Sequence, residues 1–140
     1  MVSWQYLLDS NILSEPVKKY PNPNVMRQLV THQKQIVTAT IVLHELLYGY
    51  YRLPVSNKRN LIENYIEQEV VNKIPILPYD TAAAQYHAIE RSRLVKAGKT
   101  PPFADGQIAA IAHVNHLILV TNNTSDYHNF NDLAIENWCK

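Results

Sequence analysis

Trp4-Gln-Tyr-Leu-Leu-Asp-Ser-Asn11 is the stretch on which the fold turns. Trp4 to Leu8 reads as a buried strand. It stops at Asp9-Ser10-Asn11, three residue types that favour turns and helix caps. The same grammar returns downstream. Gln35 to Ala39 reads as a second strand, and Ile74-Pro-Ile-Leu77 as a short third whose Pro75 suits a strand start or a sheet edge. Leu117 to Thr121 is a fourth, and Leu133 to Glu136 a last short one. Helical patterns fill the intervals. They run from Ile12 to Val17, from Asn24 to His32, from Ile41 to Arg52 with Thr40 as cap, and from Ser56 to Val71. A long helix capped by Asp80 reaches Lys96 and is closed by Gly98, and another spans Ala104 to Asn115. Strands alternating with helices predict an α/β fold with a central, mostly parallel sheet of four to five strands flanked by helices. Such sheets carry their chemistry outside the carboxyl ends of the strands.

The chain has 140 residues, which predicts one domain over residues 1–140. Apolar residues make up 46% and charged residues 18%, a globular composition that argues against wholesale disorder. The formal net charge of +1 gives no bulk polyanion-binding character, which leaves any such function to a local patch. Cys139 is the sole cysteine, so neither an internal disulfide nor a thiolate metal cluster can form. That suits a reducing, cytoplasmic setting. No apolar run approaches the ~20 residues that span a bilayer, so no membrane association is expected. Met1 to Leu8 lacks a basic stretch followed by a long apolar core, so no signal peptide is read. With Gly49, Gly98 and Gly106 the only glycines, neither Gly-rich phosphate-loop motif occurs.

Four polar residues stand in the wrong company. Asp9 directly follows the first strand; its plain reading is a turn former or cap. Glu45 lies in Ile41-Val-Leu-His-Glu-Leu-Leu-Tyr-Gly-Tyr-Tyr51, beside Ile41, Val42 and Tyr48 at helical spacing. An unpaired carboxylate buried there costs several kcal/mol, so a role is expected for it. His44-Glu45 opens like a zinc-protease HExxH, but Tyr48 takes the second histidine position and the motif fails. Asp105 shares a helix face with Ile108, Ala109 and Ala112 that points inward, and the helix start tolerates its charge. Asn123 follows the fourth strand in the turn-rich run Thr121-Asn-Asn-Thr-Ser-Asp126, where Asp126 itself reads as a cap. In a parallel sheet these groups can converge. Oxygen-only ligands suit a hard cation, Mg²⁺ or Mn²⁺, which polarises water and neutralises phosphoryl oxygens.

Taken together, Leu7-Leu-Asp-Ser-Asn-Ile-Leu-Ser-Glu15, Thr38-Ala-Thr-Ile-Val-Leu-His-Glu-Leu-Leu-Tyr-Gly49, Pro102-Phe-Ala-Asp-Gly-Gln-Ile-Ala-Ala110 and Leu119-Val-Thr-Asn-Asn123 resemble the PIN-domain ribonucleases. They are most similar to the VapC-like toxins of type II toxin–antitoxin modules. The terminal Ile135-Glu-Asn-Trp138 is also typical, and the blocks fall in order over nearly the whole chain. The resemblance implies a PIN-like fold and a metal-dependent endoribonuclease with a mostly acidic quartet. By motif the quartet falls on Asp9, Glu45, Asp105 and Asn123; the amide at Asn123 departs from the fully acidic version. Ser10 replaces the more usual threonine and keeps the hydroxyl. Mg²⁺ or Mn²⁺ is expected on Asp9 and Asp105, with Asn123 and Glu45 completing the site directly or through water. The resemblance further implies a cognate VapB-like antitoxin and a homodimeric toxin.

An RNA substrate needs cations near the cleft. Arg91 and Lys99 are the preferred candidates because Asp105 lies a short loop beyond them, and Arg52, Lys58 and Arg59 form a second group. Ser10 and Thr121 join the substrate-binding candidates. Tyr48, Tyr50 and Tyr51 suit base stacking, but core or partner-interface roles are preferred for them. Two alternatives stand beside the toxin reading: a PIN-domain nuclease of RNA maturation, and a non-catalytic acidic-pocket binding module.

Overall fold

A computed structural model describes residues 3–140; Met1 and Val2, part of the stretch read for a signal peptide, lie outside the described residues. Five strands form one sheet: β1 (Tyr6–Leu8), β2 (Ile36–Ala39), β3 (Ile76–Leu77), β4 (Ile118–Val120) and β5 (Ile135–Glu136). Their order is β3-β2-β1-β4-β5, and every neighbouring pair is parallel. Six α-helices flank it: α1 (Ser10–Leu13), α2 (Pro23–Thr31), α3 (Thr40–Tyr51), α4 (Asn57–Tyr65), α5 (Thr81–Lys96) and α6 (Phe103–Val114). The expected architecture is therefore present, with the upper strand count and an entirely parallel sheet.

The central strand explains the arrangement. All three residues of β1 are buried, as a parallel strand covered on both faces requires. Leu7, Leu8, Val37, Leu119 and Val120 pack with Ile12 of α1 and with Ile108, Ala109 and Ala112 of α6. Fully burying one such aliphatic side chain stabilises the fold by about 1.5–3 kcal/mol. The alanines of α6 let that helix lie close on the sheet. Its amino end, and Asp105 with it, thus comes to the carboxyl ends of β1 and β4.

Element boundaries shift where tertiary contacts overrule local preference. Trp4 is 48% exposed and outside the ladder; pairing begins only where β2 and β4 flank the chain. Thr40 is the first helical residue of α3, not its cap; Ala39 holds the cap position with no side-chain bond. Thr38 and Ala39 are still engaged with β3, so the turn into helix starts late. The helix expected from Ser56 to Val71 divides. Ser56 caps α4 by accepting from Arg59 N at 3.1 Å, and after Tyr65 the chain widens to a π-helical stretch, Ile66–Val71, that buries Ile66 and Val70. Pro75 sits at the sheet edge as expected, its carbonyl accepting from Thr38 N at 3.0 Å. Asp80 caps α5 through Ala83 N at 2.9 Å, and Gly98 ends it at φ 72°.

Helices α5 and α6 pack across an unusually close contact. The His87 ring is buried against Gly106; a β-carbon at Gly106 would lie 2.2 Å from His87 Nε2. His87 Nδ1 stands 2.9 Å from the Tyr79 hydroxyl, and Phe103 covers the ring at 4.8 Å between centroids. Burial holds the imidazole below its ordinary pKa, with Arg91 adding to the effect. Among the described residues no helix is long and apolar enough to cross a membrane.

Candidate active site

The register Leu8↔Val120 places the residues that follow the two strands side by side. Asp9 N donates to Val120 O at 3.0 Å, and the Thr121 hydroxyl donates to Asp9 Oδ2 at 2.9 Å. Asp9 is only 4% exposed and also caps α1, its Oδ1 accepting from Ser10 N at 2.8 Å. Oδ2 takes two further donors, Asn11 Nδ2 at 3.3 Å and the Tyr127 hydroxyl at 3.4 Å. Asn11 ties the two strand ends together: its Nδ2 also reaches Thr121 Oγ1 at 3.2 Å, and its Oδ1 accepts from Asn122 N at 3.0 Å. This network orients a buried carboxylate without supplying any cation.

Asp105, in the first turn of α6, is half-buried. The same Tyr127 hydroxyl stands 3.4 Å from its Oδ1, so one phenol bridges Asp9 and Asp105. Burial pushes the Asp105 carboxyl above the ordinary range, and the charges of Asp126 and Asp9 push it further, against the bond from Tyr127. Tyr127 is 2% exposed, and burial holds its phenol far above the ordinary value, so it stays a neutral donor. Glu45 comes from α3, on the opposite wall, where Ser10 Oγ approaches its Oε2 at 3.5 Å. Its carboxyl is raised by partial burial first, then by Asp9 and Asp105. Asn123 starts the 3-10 turn Thr124–Asp126, its backbone N–H donating to Thr121 Oγ1 at 3.1 Å.

Several expectations change here. Glu45 is not enclosed by apolar neighbours; it is exposed, on the wall of a cleft of about 440 Å³ that Ser10, Asn11 and Asn123 also line. Helix α3 turns outward the face that Glu45 shares with Tyr48, so His44, Glu45 and Tyr48 are all exposed. Thr121 cannot touch substrate: it is wholly buried and its hydroxyl is committed to Asp9. Arg91 donates to Pro101 O at 3.2 Å and lies over the Phe103 ring at 5.3 Å, which ties its guanidinium to the loop into α6. Lys99 is exposed at the end of α5 and is absent from the lining of that cleft. Asp126, read as a plain cap, is close enough to raise Asp105. Tyr127 and Asn11 were not singled out by sequence; Asn11 adjoins the acidic turn, whereas nothing local marks Tyr127.

Asp9, Glu45 and Asp105 offer oxygen donors alone, and among the described residues none is ion-paired. Glu45 and Asp105 have raised pKa values, through burial first and through neighbouring acidic charges second. That donor chemistry fits a hard divalent cation. Among the described residues no three acidic, histidine or cysteine side chains yet stand close enough to enclose an ion. The Tyr127 hydroxyl occupies the space between two of the carboxylates.

The PIN domain family model matches residues 6–134. The chain is 31% identical over 134 residues to the tRNA(fMet)-specific endonuclease VapC of Shigella flexneri, covering 96% of this chain and 98% of that protein. It is 32% identical over 124 residues to the toxin FitB of Neisseria gonorrhoeae, covering 86% and 89%. Among solved structures, FitAB bound to the IR36 DNA fragment superposes with a TM-score of 0.89 at 29% identity, covering 97% of this chain and 96% of that one. DNA-bound VapBC from Salmonella typhimurium gives 0.85 at 26% identity, covering 97% and 99%.

Proposed function

The chain belongs to the PIN domain family, and from that membership we propose that it is an endoribonuclease, the toxin of a toxin–antitoxin module, restrained by a small cognate antitoxin. Its single domain, residues 1–140, works on RNA in the cytoplasm as a homodimer. The observation that carries the reading is the group of unpaired carboxylates at the carboxyl ends of β1 and β4, one of them held by Ser10 N, Asn11, Thr121 and Tyr127. A binding protein for a small cation needs no cleft of about 440 Å³ beside them.

Asp9 and Asp105 would hold Mg²⁺ or Mn²⁺, with Glu45 and Asn123 completing the site directly or through water. The ion supplies positive charge against the phosphoryl oxygens and polarises water. Asp9 Oδ2 accepts from three donors and Oδ1 from Ser10 N alone, so the carboxylate would keep lone-pair capacity for an ion. Tyr127 keeps the Asp9 and Asp105 carboxylates apart by a fixed hydroxyl. Glu45, with its raised carboxyl facing the cleft, takes the proton of the attacking water. The water oxygen bonds to phosphorus, the bond from phosphorus to the leaving oxygen breaks, that oxygen takes a proton from solvent water, and Glu45 returns its proton to solvent.

The test is induced expression followed by mapping of cleaved RNA ends, with Asp105→Asn as control. Cleavage that stops with a chelator and with Asp105→Asn supports the reading. Cleavage that survives full chelation refutes the metal assignment.

A further inference from the structure

Beyond Glu45 and Ser10 the cleft does not end. It runs into a second hollow of about 610 Å³ lined by Ser14, Val17, Lys18, Lys19, Lys58 and Ile62. Ser14, Val17, Lys58 and Ile62 line both, so the two form one trough. The near end carries the Glu45 carboxylate. The far end carries three lysines and no carboxylate in its lining.

The lysines are not equivalent. Lys18 Nζ pairs with Glu15 at 2.8 Å, and that carboxylate is buried, held below its ordinary pKa by Lys18 and by Asn22 N against the effect of burial. Its charge is largely spent inside the protein. Lys19 and Lys58 are exposed, and among the described residues neither has a carboxylate within ion-pair distance. The neighbouring arginines are engaged: Arg52 lies over the Tyr48 ring at 4.6 Å, and Arg59 over the Tyr50 ring at 4.8 Å. Val17 and Ile62 add apolar lining to the hollow; Lys19 Nζ lies over the exposed Tyr20 ring at 5.5 Å, farther than either arginine from its ring, and Lys58 has no ring or carboxylate partner among the described residues.

Resting on the ribonuclease reading above, we infer that Lys19 and Lys58 form a phosphate-binding subsite that holds the single-stranded RNA backbone on one side of the scissile phosphate. A polynucleotide bound with one phosphate at the carboxylates carries a further negative charge at every step along the trough. Lysine is a compact point charge that suits such backbone contacts without reading sequence. Arg91 is tied to the loop into α6 by its bond to Pro101 O, whereas Lys19 and Lys58 lie along the trough. The subsite also accounts for an acidic site that binds a polyanion: attraction acts beside the reacting group, not at it.

The experiment is fluorescence anisotropy of a labelled 12-nucleotide single-stranded RNA with the full chain in excess chelator, so that no cleavage intervenes. Lys19→Ala/Lys58→Ala is compared with the parent across a salt series. Each phosphate contact to a single strand contributes about 0.7 to the slope of log affinity against log salt. The double variant is expected to lose about 1.4 from the slope and about 10- to 30-fold in affinity at ~0.1 M salt. Lys19→Glu/Lys58→Glu is expected to lose more, and Arg91→Ala/Lys99→Ala to leave the slope unchanged. Lys18 is left intact because it holds Glu15, and melting curves check that each variant is folded. An unchanged slope in the lysine variants, with metal-supported cleavage by the parent intact, overturns the subsite alone. Loss of binding to the antitoxin with RNA binding unchanged overturns it too, because the trough then serves a protein. Absence of any cleavage by the parent with Mg²⁺ or Mn²⁺ counts against the ribonuclease reading instead.

Discussion

Gly106→Ala is expected to destabilise the protein by about 2 kcal/mol, although alanine is ordinarily the better helix former. A β-carbon there would meet His87 Nε2 at 2.2 Å, Cδ2 at 2.6 Å and Cε1 at 3.0 Å. Carbon contacts are comfortable at about 3.5–4.0 Å, so the ring or the helix must move by more than an ångström. The ring is not free to yield: it is 2% exposed, bonded to Tyr79 at 2.9 Å and covered by Phe103. Overpacking of this kind costs about 1–3 kcal/mol, and strain this close belongs near or above the top of that range. The intrinsic gain from replacing glycine in a helix returns up to about 1 kcal/mol. For 140 residues the unfolding entropy is about 0.3 kcal/mol/K, so the melting temperature should fall by about 5–8 °C. Asp105 is the adjacent residue, so displacement of α6 should also cut cleavage, by about 100-fold for a shift near 1 Å. The assay is thermal and urea unfolding of Gly106→Ala in two backgrounds, wild type and His87→Ala. The smaller side chain at position 87 makes room, and the cost of Gly106→Ala should nearly vanish there. An equal cost in both backgrounds refutes the steric argument.

Tyr127→Phe removes the hydroxyl bridging Asp9 and Asp105 at the cost of one oxygen atom of volume. Stability should drop by about 1 kcal/mol, and the Mn²⁺ concentration for half-maximal cleavage should rise several-fold; wild-type melting and titration curves would dismiss the bridge. Because Asp105 is raised in the folded state, its ionised form disfavours folding, and this contribution to stability declines as pH rises through the raised value. Asp105→Asn should therefore melt higher than wild type at pH 7 in chelator, and the gap should close as pH falls toward the ordinary carboxylate range. A lower melting temperature for Asp105→Asn at pH 7 would reverse that sign. Asn123→Ala should cost less activity than Asp105→Ala, and Asn123→Asp should stay active at lower metal concentration, since it adds charge at a position on the cleft wall. A metal titration of RNA cleavage in which Asn123→Asp matches wild type would remove Asn123 from the ion's surroundings.

What could be read from the amino acids, and what could not, follows from the range of the forces involved. Asp9 was legible because an acid ending an apolar strand is a local event. Asp105 was legible for a similar reason, standing at the start of an alanine-rich helix whose periodicity gives its inner face. The position of Glu45 on α3 was legible, but its exposure was not: which side of α3 meets water depends on α4 and α1, which pack beside it. Thr121 was misread because its hydroxyl direction is set by the register Leu8↔Val120, a pairing between distant segments. Tyr127 follows the Thr124–Asp126 turn, and only that turn brings the phenol back beneath the acids. The division of the helix after Tyr65 is likewise tertiary, set by Ile66 and Val70 entering the core and by the Tyr65 hydroxyl bonded to Leu13 O.

The partners of Asp9 also set a schedule for biosynthesis. Its bond from Thr121 spans 112 residues and its bond from Tyr127 spans 118. During translation Asp9 emerges 112 and 118 residues ahead of these two orienting donors. Strand β4 has to slot in beside β1 before the carboxylate is held at all. A nascent chain that has not yet exposed Thr121 and Tyr127 therefore lacks two of the donors that orient Asp9. Such long-range closure is slow to form. The carboxylate is organised only once both strand ends have met.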